Sequence, residues 1–373
     1  MFTTKTKILL LKGIITKKSP IYVQYAVTKR CNLRCRMCDS SISRKSERDL
    51  NLEEISIIAS NLSKIGTGVI VLTGGEPFLR EDLPEIVKIF SSKGLTVRLQ
   101  TNGILATEEK IKKVFQAGLK EITISLDTLE PQKEDTITSQ NGSWHEIIKS
   151  MVRFSQILPT KGTLLGINAL VSKQNIEDVI DIIKLATRIG FWCSLIPVHL
   201  AREGQDEFII RKNAPEFAFQ PSDYDKIDRI YARIIRMKKQ GYNVYNSYKF
   251  LRNSPEFLKG KRILWHCDSP YLYFAISPSG NFLPCVDLKT NLSILDKDFP
   301  KKYRSKEFRD YIASLVKNCK GCYYACWPEI TYLCRDVTVL AEKLFLGIKT
   351  SFNKRKPVTY KKCLEIIENI KNA

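Results

Sequence analysis

Apolar runs and helical periods alternate along the first half of the chain. Six short stretches rich in Val, Ile and Leu read as strands: Ile21–Thr28, Val69–Thr73, Leu95–Gln100, Ile122–Asp127, Leu164–Val171 and Phe191–Val198. Such nearly unbroken apolar runs suit strands covered on both faces. Helical patterns with start and stop signals lie between them. Asn51 is placed to cap Leu52–Lys64, which Gly66 ends; Thr107 caps the next helix, with Gly118 beyond; Asn175 caps Ile176–Ile189, with Gly190 beyond. Ser222 opens a further helix through Lys239, closed by Gly241. Repeated strand–helix units predict an α/β fold with a parallel sheet, here a partial (β/α)6 barrel of the TIM type. Functional groups in such barrels gather where the strands end.

The expected strand ends are chemically loaded. Cys31, Cys35 and Cys38 follow the first strand within eight residues. A zinc site wants four ligands, usually as separated pairs, and a disulfide would leave one thiol over. A [4Fe-4S] cluster held by three thiolates fits better and keeps one iron open. Thr73-Gly74-Gly75-Glu76-Pro77 follows the second strand, where the glycines would let the backbone approach a ligand closely. Thr101-Asn102-Gly103 offers polar groups after the third. Alternation along the fourth sends Ser125 and Asp127 to one face. His199, just past the sixth, is a candidate for a substrate pocket or a structural histidine. Cys193 reads as a buried small hydrophobe, and His145 and Cys363 fall in helical patterns.

The C-x3-C-x2-C loop resembles the signature of the radical S-adenosylmethionine (AdoMet) superfamily. The resemblance implies that Cys31, Cys35 and Cys38 ligate a [4Fe-4S] cluster whose open iron chelates AdoMet. Electron transfer then cleaves the sulfonium to a 5′-deoxyadenosyl radical. It also implies that Gly74, Gly75 and Glu76 bind the AdoMet amino group, with Met37, Thr101, Asn102 and Asp127 nearby. Ser125 would lie near the carboxylate or ribose; Asn168 and Ile196 would border the ribose and adenine.

A second cysteine set begins at Trp265-His266-Cys267. Tyr271–Ile276, the turn Ser277-Pro-Ser-Gly280 and Asn281–Pro284 predict a hairpin ending at Cys285, followed by Cys319-Lys-Gly-Cys322, Cys326 and Cys334. On spacing alone this set suits zinc or [4Fe-4S]. Together with the first loop it resembles the SPASM and twitch extensions of radical AdoMet enzymes. The shorter twitch pattern assigns Cys267, Cys285, Cys319 and Cys322 to one auxiliary cluster. It leaves Cys326 and Cys334 as ligands of a second cluster or as bystanders. Asp287, beside Cys285, is a further substrate-pocket candidate.

The expected divisions are a basic segment 1–20, a barrel 21–205, a bridge 206–261, a cysteine-rich domain 262–335 and a basic helical tail 336–373. The 373 residues, 43% hydrophobic, suffice for such a core. Eleven cysteines without an export signal favour metal ligation over disulfides, and a cytoplasmic location. The formal charge of +21 is dispersed, with concentrations at Lys5–Lys18 and Lys343–Lys362. No nucleic-acid partner is expected, and peripheral contact with an anionic membrane stays open. The expected activity is hydrogen abstraction from a small polar or sugar-containing substrate, aided by the auxiliary cluster and an electron donor such as flavodoxin or ferredoxin. The rivals are maturation of a ribosomal peptide or protein side chain, and a non-catalytic iron–sulfur binding or electron-transfer protein. Only about twenty residues precede the barrel, which leaves no room for an N-terminal peptide-recognition domain and lowers the peptide reading.

Overall fold

The computed structural model describes residues 4–40, 48–200, 213–317, 319, 321–352 and 355–373. Strands β1 (Tyr22–Ala26), β2 (Val69–Thr73), β3 (Thr96–Thr101), β4 (Leu119–Ser125), β5 (Leu164–Val171) and β6 (Trp192–Pro197) pair in parallel, each beside the next in sequence. Helices α1 (Thr4–Thr16), α2 (Leu52–Ile65), α3 (Leu83–Ser92), α4 (Glu108–Gln116), α5 (Pro131–Thr138), α6 (Ser143–Ile157) and α7 (Val179–Arg188) precede or link them. The result is the expected partial barrel. Its core joins the outward sides of the strands, such as Val23, Ile70, Leu99 and Ile124, to the inner faces of the helices.

The sheet does not stop at β1. Strand β7 (Tyr273–Ile276) pairs with it in parallel, Tyr22 opposite Tyr273, and β8 (Phe282–Leu283) returns antiparallel. The hairpin of the cysteine-rich region therefore extends the barrel's own sheet to eight strands, in the order β6-β5-β4-β3-β2-β1-β7-β8. Gly280, at φ +82°, and the Ser277 hydroxyl, which accepts from the Asn281 N–H, shape its turn.

Local signals decide most helix ends. Asn51 and Glu54 form a reciprocal capping box, and Gly66 closes α2 in the left-handed region. Thr107 caps α4. Two caps differ from expectation. The Asn175 side chain turns back to the end of β5, taking the Ser172 N–H and donating to the Asp127 and Leu170 carbonyls, so α7 begins later at Val179. Ser222 sits inside a single tight turn, Pro221–Asp223, ahead of α8 (Tyr224–Lys239); Gln220 and Asp223 supply the cap.

The region after the barrel is more helical than its polar sequence suggests. It contains α8 and α9 (Tyr248–Leu258), then α10 (Phe299–Arg304), α11 (Lys306–Lys317), α12 (Cys326–Arg335), α13 (Val337–Phe352) and α14 (Tyr360–Lys371). The expected barrel–bridge boundary at 205/206 lies outside the described residues. Helix α14 buries Cys363, Ile367 and Ile370 against the barrel's outer helices, and the buried Arg355 guanidinium donates to the Ser155, Leu158 and Pro159 carbonyls. Among the described residues no helix is long and apolar enough to cross a membrane.

Candidate functional site

The cysteine loop leaves the C-terminal end of β1 and is pinned on two sides. On one, Arg34 and Arg36 N–H groups donate to the Thr138 and Ile137 carbonyls at the end of α5. On the other, the Gly75 and Glu76 N–H groups donate to the Thr28 and Arg30 carbonyls, each at 2.8 Å. This second contact explains the two glycines. A Cβ on Gly75 would lie 2.0 Å from the Arg30 carbonyl oxygen, and one on Gly74, at φ +133°, 2.2 Å from that of Thr28. The close approach expected toward a ligand is made first toward the chain's own cysteine loop.

Glu76 completes the lacing. One carboxylate oxygen accepts from the Phe78 N–H (2.9 Å) and the Thr101 hydroxyl (2.7 Å), the other from the Asn102 N–H (2.8 Å). Burial pushes its pKa up to about 6, against the pull of those three donors. Expected as a ligand-binding side chain, Glu76 is fully buried and spent on protein donors. It holds the ends of β2 and β3 in register around the mouth. The Asn102 amide reaches over to Asn32 (2.9 Å) and toward the Cys31 sulfur (3.9 Å).

The three thiols share one environment. Burial drives the Cys35 thiol well above its usual range, and its neighbours Cys38 and Cys31 raise it further. Cys31 is pushed up to about 11, mainly by burial, although the Leu33 N–H donates to its sulfur at 3.4 Å. Met37 is half-buried against the core. Ser125 and Asp127 do not share a face as alternation suggested. The strand ends at Ser125, which is exposed, while Asp127 turns inward to accept from the Leu170 N–H at 2.8 Å. There it meets the buried Glu134, whose carboxylate takes the Asp127 and Thr128 N–H groups. Burial raises both carboxyls, Asp127 to about 7 and Glu134 further, with Asp127 the largest repulsion on Glu134. Asn168 is half-buried and donates to Thr123 (3.1 Å); Ile196 packs in a small cluster with Phe250 and Tyr323.

Behind the mouth lies the second set. Cys285 is raised by burial, then by Asp287, Cys267 and Cys319; Cys322 by burial, then by Cys285, Asp287 and Cys267; Cys267 by burial and, among others, Cys319. The four sulfurs therefore lie within electrostatic reach of one another. Three accept hydrogen bonds at 3.3–3.4 Å: Cys319 from the Gly321 N–H, Cys285 from the Asp287 N–H, and Cys267 from the Tyr273 hydroxyl. Such donors suit anionic sulfur and tune cluster potentials. Cys326 and Cys334 pack in the same apolar cluster as Cys267, Cys285 and Cys322 but differ in their electrostatic neighbours. Burial pushes each up to about 12, but the charges they feel or exert involve Tyr22, Asp268, Lys17 and Arg335, none of the four sulfurs. Among the described residues no three His, Cys, Asp or Glu side chains converge at the spacing of one metal ion. A four-iron cube spreads its ligands wider than one ion does.

His199 links the two regions. Its Nδ1–H donates to the Pro197 carbonyl (2.8 Å), which leaves Nε2 to accept from the Tyr323 N–H (3.0 Å), next to Cys322. The ring stacks on Tyr324 at 3.7 Å, and the Tyr324 hydroxyl donates to Asp287 at 3.2 Å. Of the expected pair of pocket candidates, His199 is a neutral strut and Asp287 lies beside the second thiol set. Sequence reasoning missed Glu134, Asn32 and Tyr273. Asn32 meets a partner 70 residues away, and the five- to seven-residue separations of Glu134 and Tyr273 from theirs match no helical or strand period.

A partial barrel that gathers thiols on one loop at its strand ends, with a second thiol set behind, defines a class: iron–sulfur proteins built around a cofactor held at the barrel mouth. Comparison with known proteins names it. Residues 25–186 match the model described as the radical SAM superfamily, and that segment is a radical AdoMet core; the superfamily uses a [4Fe-4S] cluster and AdoMet. The chain is 27% identical over 265 residues to the Fe-coproporphyrin III synthase of Methanosarcina barkeri, covering 69% of this chain and 59% of that protein. It is 31% identical over 175 residues to the GTP 3′,8-cyclase of Aquifex aeolicus, covering 45% and 53%. These matches thus span little more than half of those relatives. Among solved structures, Streptococcus suis SuiB bound to S-adenosylmethionine aligns with TM-score 0.62 at 16% identity, over 85% of this chain and 76% of that one. Native anSMEcpe with bound AdoMet and Cp18Cys peptide aligns with TM-score 0.56 at 16% identity, over 95% and 98%. Both share the fold.

Proposed function

We propose that this chain is a radical AdoMet enzyme with a single auxiliary [4Fe-4S] cluster. Cys31, Cys35 and Cys38 hold the catalytic cluster; Cys267, Cys285, Cys319 and Cys322 hold the auxiliary one. Bound together, the catalytic cluster and AdoMet supply a 5′-deoxyadenosyl radical that takes hydrogen from substrate carbon. The chain's own residues do the placing. The backbone of Gly74–Glu76 and the Asn102 amide border the Cys31 side of the mouth, and the exposed Ser125 hydroxyl offers a contact on the far side. The observation that supports the reading is that Cys267, Cys285 and Cys319 each accept a hydrogen bond at sulfur and Cys322 packs in the same cluster as Cys267 and Cys285, with the four in electrostatic reach of one another. A cluster with four protein ligands leaves no iron for AdoMet, so it serves as an electron acceptor or relay.

The substrate on this reading is a small polar molecule, a class to which the relatives named as Fe-coproporphyrin III synthase and GTP 3′,8-cyclase point. A peptide substrate is the second reading. Its support is that fold neighbours were solved with peptides, SuiB with its precursor SuiA and anSMEcpe with Cp18Cys. Anaerobically reconstituted, dithionite-reduced protein is expected to release 5′-deoxyadenosine from AdoMet, and Cys35→Ala to abolish the release. Parent-level release by that variant overturns the assignment.

A further inference from the structure

Helices α1 and α13 are apolar on both sides, which is the pattern of a helix with neighbours all round. Among the described residues each has protein on one side only. In α1, Leu10 and Ile14 pack on the apolar cluster of the cysteine-rich region, while Ile8, Leu11 and Ile15 point outward at 62%, 59% and 69% exposure. Their i, i+3, i+7 spacing makes one row. In α13, Val339 is buried, while Val337, Leu344, Phe345 and Ile348 are exposed. Seven of the nine exposed large hydrophobic side chains among the described residues belong to these two helices. A cleft of about 240 Å³ joins them, lined by Ile14 of α1, Lys17 just past its end, Cys334 of α12, Asp336, which is paired with Lys249, and Val337 and Leu340 of α13.

The patch lies at the closed end of the barrel. The Thr6 hydroxyl meets that of Thr96 at 3.0 Å, and Gly68 sits against Thr6 and Leu10, so α1 covers the starts of β2 and β3. Lys349 of α13 lies over the ring of Trp192, the first residue of β6. The cysteine loop is at the opposite end of the strands.

Charge selects the occupant. No acidic residue precedes Asp39, and none falls between Glu342 and Glu365. Glu342 is itself paired with Lys238 at 2.8 Å. Lys7, Lys12 and Lys18 are exposed around the α1 row, whereas Lys343 is committed to Glu329 at 3.0 Å. Two copies of so basic a face repel each other, and the whole chain carries +21. An apolar row flanked by lysines suits a helix lying in the headgroup region of an anionic bilayer. We infer that α1 and α13 dock the protein on anionic phospholipid, with the barrel mouth turned toward water.

Flotation of the reconstituted full chain with vesicles tests this. At low salt the protein is expected to float with phosphatidylglycerol/phosphatidylcholine vesicles and not with phosphatidylcholine alone. Leu11→Glu with Phe345→Glu should cut binding about tenfold or more, with circular dichroism melting and 5′-deoxyadenosine release at parent level. Ile8→Gln with Ile348→Gln serves if that pair does not fold. No flotation of the parent, or binding that survives both pairs, overturns the inference. So does a concentration-dependent dimer lost in the variants without vesicle binding, which would assign the face to a second copy.

Discussion

Replacing Gly75 by Ala probes the contact on which the cysteine loop rests. The added Cβ would sit 2.0 Å from the Arg30 carbonyl oxygen, 2.5 Å from its carbon and 2.8 Å from the Lys29 carbonyl oxygen. All three atoms are backbone, so no side chain can swing away. Restoring an ordinary separation moves the two segments apart by about 1 Å, which breaks the Gly75–Thr28 and Glu76–Arg30 hydrogen bonds. At ~1 kcal/mol for each bond, plus residual strain, the loss is about 2–4 kcal/mol. Gly142→Ala is the control. Nothing lies within 4 Å of its added Cβ, but its φ of +77° costs about 1–2 kcal/mol. Urea unfolding gives the stability and iron analysis after anaerobic reconstitution gives the occupancy. The Gly75 variant should lose about four irons and AdoMet cleavage while keeping the auxiliary cluster; the Gly142 variant should keep both. A Gly75 variant of unchanged stability and full iron content would refute the role given to this contact.

Other outcomes follow from the buried carboxyls and the outlying cysteines. Asp127, raised by burial from 3.8 to about 7, contributes stability that is present at and below its ordinary value and lost as pH rises through about 7. Asp127→Asn keeps the acceptor for the Leu170 N–H, so its advantage over the parent in thermal unfolding should grow between pH 4 and 7; a pH-independent difference would show that the pair does not titrate as described. Cys326→Ser and Cys334→Ser should leave iron content unchanged, and loss of about four irons in either would reveal a second auxiliary cluster.

The strands were legible because buried parallel strands are written as apolar runs, and each of the six is followed within a few residues by polar groups. Capping at Asn51 and Thr107 was legible for the same reason: the partners sit three residues away. What sequence hid is contact that no helical or strand period marks. Asn175 looks like a cap, yet its amide is claimed by carbonyls of β5 and the β4 end. Ser125 and Asp127 alternate on paper, but the strand ends between them and Glu134 draws Asp127 inward. Glu76 looks like a ligand because it follows two glycines at a strand end; burial and three donors, two from the next strand's end, make it a brace. The hairpin was visible from its turn residues, whereas its pairing with β1, some 250 residues earlier, had no local signature.

Iron counted per chain in the parent and two cysteine variants tests the central claim most directly. The account predicts about eight irons in the reconstituted parent. Replacing Cys31, Cys35 and Cys38 together by Ala should leave about four irons and no 5′-deoxyadenosine release. Replacing Cys319 and Cys322 should also leave about four irons, but spare slow release without substrate. Zinc in the second site, or AdoMet cleavage by the triple variant, would contradict it.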